Sequence, residues 1–536
     1  MKKTKQDSGR LGTLSGLVVS WAAAGIVSGC GGDGAVSPQG EAPPVGRSLS
    51  ALCEAFVASD LPHGAKQIKT ELRAAQGTLP EVCIVRGQIV SSPASTINWA
   101  VELPAPETWN GKTITVGGGG FDGFIPTDDP GYQEMVGTSA NPYVKISSDS
   151  GHQTPGFEWA VDDVALQNHA YDANHFALEV GTRIATIFYG KAPTRRYSFG
   201  HSNGGRAGLV AAQRYPKDYD GVIALAPAIA QEGFAANNAP LLFRHFFEKR
   251  ENWMSPAKIA LFAEAETKAC DGLDGLEDGI IGNVDACSYI PTDLLCEGED
   301  NDSCLTEGQI ESIRRIYTDR SVPVALADGA VGYPRYGRGG AATGDWTGYM
   351  FGRSFDEPGG FNYFAATEII KVVENNPAAS ILTHDPVGFV PQYQRLSSQI
   401  DATNPDLSAF ADNGGKMLIW YGVGDGCVSI YRLARYLETV EARLGATKMR
   451  SFVRHLTSPS VGHNLAGPGA MHIDFVGILD AWVENGAAPD RATGTRFAED
   501  GKTPEWSRPL CEYPKFPRYD GKGDPSKAES FACSAT

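Results

Sequence analysis

The sequence predicts an α/β fold, a doubly wound and mostly parallel sheet with a large inserted lid. Three observations predict it. The single Gly-x-Ser-x-Gly, Gly200-His201-Ser202-Asn203-Gly204, lies between a short apolar approach (Tyr197, Phe199) and a helix-like run over residues 207–215. Strand, tight turn and helix are the setting of a nucleophile elbow, although a βα turn whose serine caps the helix would look similar. Apolar strand-like segments alternate with helical patterns around this turn, as a parallel sheet requires. Further on, an aspartate and a histidine each follow a late strand, in the chain order Ser202, Asp425, His463.

The chain opens with Lys2, Lys3, Lys5 and Arg10 ahead of an apolar run over residues 11–27, which ends in Val27-Ser28-Gly29-Cys30. A basic, then apolar, then small-residue pattern predicts an export signal over residues 1–30. Its end resembles a bacterial lipobox, so Cys30 is expected to carry a lipid anchor; a plain secretory signal is the alternative. Residues 31–50 are rich in Gly, Pro and Ser and predict a flexible tether. The expected location is outside the cytoplasm, as an outer-membrane lipoprotein or a periplasmic or secreted protein. The net charge of −17 argues against a nucleic-acid partner.

Nine cysteines remain besides Cys30. Four close pairs suggest themselves (Cys53 and Cys83, Cys270 and Cys287, Cys296 and Cys304, Cys511 and Cys533), with Cys427 left over. In an oxidising compartment such neighbours would close disulfides, but spacing leaves the connectivity open.

The core is expected over residues 51–231 and 401–536. Strands are predicted at residues 84–90, 98–103, 112–116, 143–147, 197–199 and 221–228, and a long amphipathic helix over 167–189. The strand at 112–116 runs into Gly117-Gly118-Gly119-Gly120-Phe121. Such glycines let backbone amides approach a ligand, as an oxyanion hole requires, or they form a loose turn. Late strands are expected at 416–421 and 449–455.

Between the two core segments, residues 232–400 break the alternation and read as a lid. Trp346, Tyr349, Phe351, Phe355, Phe361, Tyr363 and Phe364 crowd one part of it, as substrate contacts or as the lid's own core. Arg335, Arg338 and Arg353 are candidates for a substrate carboxylate. The lid also holds Asp271, Asp274 and Asp278 separated by glycines. With the carbonyls of Leu276 and Ile280 they form an all-oxygen set suited to Ca²⁺, against the simpler reading of a solvated acidic turn.

The order Ser202, Asp425, His463 is that of an α/β-hydrolase. His463 would take the Ser202 proton and Asp425 would orient the imidazole. His455, inside a predicted strand, and His472 fit this role less well.

Together with Asp149-Ser150-Gly151-His152 and Phe188-Tyr189-Gly190-Lys191-Ala192-Pro193, these motifs resemble the tannase and feruloyl esterase family of α/β-hydrolases, over most of residues 53–533. The resemblance implies hydrolysis of small esters, usually of aromatic acids, through an acyl-serine. It implies oxyanion donors at the amides of Asn203 and of Gly119 or Gly120, and a structural Ca²⁺ on Asp271, Asp274, Leu276, Asp278 and Ile280. It also supports the four cysteine pairs. Alternatives are an esterase of aliphatic or polyester oligomers and a non-catalytic surface-binding lipoprotein. One departure stands out. The family usually joins a cysteine before the serine to one after the histidine, and here those places hold His201 and Asn464. Packing or a His201–Asn464 hydrogen bond is the expected substitute.

Overall fold

The structure, a computed structural model, describes residues 47–535 apart from Pro358. The expected signal, the lipid-bearing Cys30 and most of the tether lie outside these residues. Leu49 and Ser50, assigned above to the tether, already open a helix, Leu49–Ala55, which Ser48 caps.

Sixteen strands are present among the described residues. They are β1 (Lys66–Arg73), β2 (Val82–Ser92), β3 (Ser95–Pro104), β4 (Lys112–Gly117), β5 (Val144–Ser148), β6 (Arg195–His201), β7 (Gly221–Leu225) and β8 (Arg320–Ala325). After them come β9 (Val331–Tyr333), β10 (Lys416–Gly422), β11 (Val453–Ser458), β12 (Thr493–Phe497), β13 (Pro504–Pro509), β14 (Cys511–Glu512), β15 (Phe516–Tyr519) and β16 (Phe531–Ser534). Ten make one sheet in the order β1-β2-β3-β5-β4-β6-β7-β10-β11-β14. The run from β5 to β11 is parallel throughout, and antiparallel strands close both edges. This is the α/β-hydrolase fold.

The central strands are apolar along their whole length because both faces are covered. On one face Val222, Ala224, Met417, Ile419 and Tyr421 pack with the helices Ala173–Tyr189, Asn203–Arg214 and Ile430–Leu444. On the other, Ile223, Leu225, Leu418 and Trp420 meet Val136 and the helix Phe475–Asn485. The alternation is the period of two that a strand imposes on its side chains.

Between β7 and β10 the chain makes the long insertion expected as a lid, whose buried Phe243, Phe246, Phe262, Trp346, Phe351 and Tyr393 share one cluster with Phe121, Phe157 and Trp159 of the core segment. Trp346 and Phe351 are therefore core residues. Four disulfides close the expected pairs, Cys53–Cys83, Cys270–Cys287, Cys296–Cys304 and Cys511–Cys533. Cys427 is a buried free thiol. Such bonds belong to a protein that matures in an oxidising compartment. Among the described residues no helix is long and apolar enough to cross a membrane.

Two expectations change. Residues 449–455 are not one strand: helix Ala446–Phe452 precedes β11, because Gly445 at φ 83° ends one helix and its extended ψ starts the next. The predicted long helix starts earlier, at Asp163, and carries a π-turn at Asn168–Asp172. Such single turns relieve local packing by inserting one extra residue.

Candidate active site

The site sits at the carboxyl ends of the parallel strands. β6 ends at His201, and Ser202 turns the chain directly into helix Asn203–Arg214. The turn holds Ser202 at φ 57°, ψ −117°, a conformation that costs on the order of 1–3 kcal/mol for a residue with a side chain. Its glycines are sterically required. A Cβ on Gly200 would lie 2.2 Å from the carbonyl of Gly204, and one on Gly204 would lie 2.5 Å from the carbonyl oxygen of Gly117. The elbow is thus wedged against the glycine loop after β4.

β10 and β11 deliver the other two groups. Asp425 follows β10 and His463 follows β11, both buried. Asp425 Oδ1 accepts the amides of Cys427 at 2.7 Å and Val428 at 2.8 Å. Its Oδ2 lies 2.7 Å from His463 Nδ1, and His463 Nε2 lies 3.0 Å from Ser202 Oγ. Asp425 therefore receives Nδ1–H, which leaves Nε2 to accept the serine proton. Burial lowers the His463 pKa to about 4, opposed by the charge of Asp345, so the ring is neutral at pH 7. Burial raises Asp425, opposed by its two amide bonds.

The two glycines proposed for an oxyanion hole separate here. Gly119 packs against Tyr132, whose hydroxyl would lie 2.5 Å from a Cβ at that position. Gly120, at φ 60°, lines a cavity together with Ser202. Asn203 stands at the first position of the helix, where amides are free of intrahelical partners. Its side chain is fixed: Nδ2 donates to Asp122, while Oδ1 accepts from Arg206 at 2.6 Å and Gln231 at 2.9 Å. Arg206 is wholly buried and also donates to the carbonyls of His169, Ala170 and Ile400, pinning the helix beneath the elbow.

His201 does not bond to the Asn464 side chain. It meets the backbone carbonyl of His463, 2.7 Å from Nε2, because the turn points its ring across the histidine loop. Asn464 is exposed and engages Tyr349. His455 is buried in β11 and His472 lies on the surface by β12; neither approaches Ser202.

The cavity beside Ser202 is mostly apolar, with Phe121, Phe234, Tyr333, Phe361 and Tyr421 among its walls. Of the crowded lid aromatics only Phe361 lines it, and Tyr349 packs edge-on against the His463 ring at 5.3 Å. None of the three lid arginines reaches it. Arg335 pairs with Asp285 and Arg338 with Glu266, while Arg353 is exposed. The arginine on the cavity wall is Arg432, from the helix Ile430–Leu444 after Asp425, a segment for which the sequence offered no reading.

The acidic loop lies behind the histidine loop, where the Ile281 amide donates to Ser460 Oγ at 3.1 Å. Asp271 takes the amides of Asp278, Gly279 and Ile280. Asp278 pairs with Arg508 at 2.5 Å. Asp274 is buried, and desolvation aided by the charges of Asp278 and Asp271 raises it to about 7.

A sheet of this order, with a strained serine at the elbow and a buried acid and histidine on following loops, defines an α/β-hydrolase. The chain belongs to the tannase and feruloyl esterase family, whose profile matches residues 83–534. It is a carboxylic ester hydrolase. It is 33% identical to an uncharacterised esterase of Agrobacterium fabrum, over 91% of this chain and 94% of that one. It is 29% identical to the mono(2-hydroxyethyl) terephthalate hydrolase of Piscinibacter sakaiensis, over 86% of each chain. The fold matches that of feruloyl esterase B from Aspergillus oryzae with a TM-score of 0.79 at 24% identity, covering 91% of this chain and all of the other.

Proposed function

We propose that this protein hydrolyses small esters of aromatic acids through an acyl-serine intermediate. The observation that carries the mechanism is the chain of contacts from Ser202 Oγ to His463 Nε2, at 3.0 Å, and from His463 Nδ1 to Asp425, at 2.7 Å. His463 Nε2 takes the hydroxyl proton as Ser202 Oγ attacks the ester carbonyl. The amides of Asn203 and Gly120 receive the oxyanion; Gly120 is preferred to Gly119 because it lines the cavity beside Ser202. Collapse breaks the ester C–O bond, and the imidazolium gives its proton to the departing alcohol. Water, deprotonated by His463, then attacks the acyl-enzyme and releases the acid and free Ser202. Asp425 holds the ring in the required tautomer throughout.

The aromatic-acid preference is supported by the aromatic walls of the cavity and by the names of two relatives, a terephthalate half-ester hydrolase and a feruloyl esterase. A panel of gallate, ferulate, terephthalate half-ester and short aliphatic esters tests it; preference for the aliphatic members would overturn it. The serine mechanism is tested with a serine-directed phosphonate. Labelling and burst release are expected in the wild type and absent in Ser202→Ala, and full activity in Ser202→Ala would refute the assignment.

Ca²⁺ is the cation we propose for the loop of Asp271, Asp274 and Asp278 with the carbonyls of Leu276 and Ile280. The donors are all oxygen, and the raised Asp274 is a charge that a hard cation would relieve. There the ion would brace the loop behind His463 and take no part in the chemistry. An N-terminal lipid on Cys30 would hold the enzyme at a membrane surface outside the cytoplasm; mass spectrometry of the mature N-terminus tests this.

A further inference from the structure

One carboxylate of the lid reaches both catalytic loops. Asp345 is buried, and its Oδ2 accepts the amide of His463 at 2.7 Å and the amide of Gly426, next to Asp425, at 2.9 Å. The fit is close on both sides. A Cβ on Gly462 would lie 2.6 Å from Asp345 Oδ1, and one on Gly426 would lie 2.8 Å from Asp345 Cβ. The rest of the segment docks on the same loops. A Cβ on Gly340 would meet the Gly424 carbonyl at 2.8 Å, and Thr343 packs against Gly424 and Gly467. Tyr349, one helical turn on from Asp345, packs against the His463 ring.

We infer that Asp345 is a positioning residue for the catalytic pair, through which the lid sets the spacing of the acid and histidine loops and adds a second negative charge behind His463. A single oxygen bonded to both loops fixes the distance between their amides, and hence the reach of Asp425 to the ring. Two anions behind the imidazole stabilise the imidazolium that forms as Ser202 attacks. The groups facing Asp345 are Asp425, His463, the Cys427 thiol and the Tyr349 hydroxyl. Of these only His463 gains a positive charge during the reaction. The inference rests on the serine mechanism proposed above.

The test uses the whole enzyme with Asp345→Asn, which keeps an accepting oxygen but removes the charge, and Asp345→Ala, which removes both. Rates are expressed per active site titrated with the phosphonate, so that poorly folded protein does not count. Asp345→Asn is expected to lower kcat by roughly 10- to 100-fold with little change in KM, as for a small misplacement of reacting groups. Asp345→Ala is expected to lose more. With the charge gone, the His463 imidazolium is less favoured, so the acid limb of kcat/KM moves to lower pH in Asp345→Asn. Wild-type kcat per titrated site with an unmoved acid limb, whatever the thermal stability, would overturn the inference. Ser202→Ala is assayed alongside. If it were active, the serine mechanism itself would have failed; if it is dead while Asp345→Asn behaves as wild type, only the role of Asp345 falls.

Discussion

His201 donates from Nε2 to the backbone carbonyl of His463 across 2.7 Å, tying the residue before the serine to the histidine of the site. The two rings lie 4.6 Å apart. In the pattern that the sequence resembles, a disulfide makes this connection. A hydrogen bond of this kind contributes about 0.5–1.5 kcal/mol net, against about 2–4 for a disulfide. The serine turn and the histidine loop are therefore held more by burial than by one strong link.

Replacing His201 with Ala would leave the His463 carbonyl buried without its donor, costing about 1–3 kcal/mol in denaturant unfolding. Burial, with the neighbouring His463, lowers the folded His201 pKa to about 3 from 6.5. Between those values the unfolded chain binds a proton that the folded one refuses. The His201 contribution is thus complete above pH 6.5 and is lost as the pH falls toward 3. The wild-type advantage over His201→Ala should shrink across that interval, a difference in which the other titrating groups cancel. An advantage constant with pH would contradict the neutral buried ring.

Gly204→Ala places a methyl against the Gly117 and Gly118 carbonyls at 2.5 and 2.8 Å. Backbone cannot rotate away as a side chain can, so the elbow must shift from the glycine loop. The expected outcome is a loss of about 1–3 kcal/mol and a fall in kcat larger than the rise in KM. Steady-state kinetics on the folded fraction would show it.

Asp274 discriminates between a cation and an empty acidic turn. Its folded pKa of about 7 against 3.8 unfolded means that, without a cation, its contribution turns unfavourable as the pH rises from 3.8 to 7. Asp274→Asn would then stabilise the protein at pH 7. With Ca²⁺ bound the same substitution destabilises it and removes the drop in Tm that chelation causes in the wild type. Scanning calorimetry with and without chelator separates the two.

Arg432 bonds Asp328 at 2.5 Å and lines the cavity. An acyl group with an oxygen acceptor at its far end can use the remaining guanidinium donors. Arg432→Met should raise KM for such esters by about 10- to 100-fold, the worth of a hydrogen bond to a charged group, and leave unsubstituted acyl groups nearly unchanged. Equal effects on both would assign Arg432 to structure alone.

The central strands were legible because each is a short apolar run bounded by glycine or a polar turn. The edges were not. β1 has Lys, Gln, Thr and Glu on a mostly exposed or half-buried strand, so no apolar alternation marks it. The helix before β11 was hidden because Met449 and Phe452 fit a strand as readily as a single helical turn.

From local pattern alone the sequence determined the elbow at Ser202 and the order of Ser202, Asp425 and His463, and it set the cysteines in close neighbours without fixing their connectivity. Each is written within a few residues or in simple chain order. Tertiary structure alone decided that His201 bonds a backbone carbonyl, that Gly120 rather than Gly119 faces the cavity, and that Arg432 is the arginine on its wall. It also brought Asp345, 118 residues from His463, between the two catalytic loops. Such contacts join segments remote in sequence, where no periodicity or spacing records which side chain will meet which. They are set only when the chain has packed into its tertiary fold.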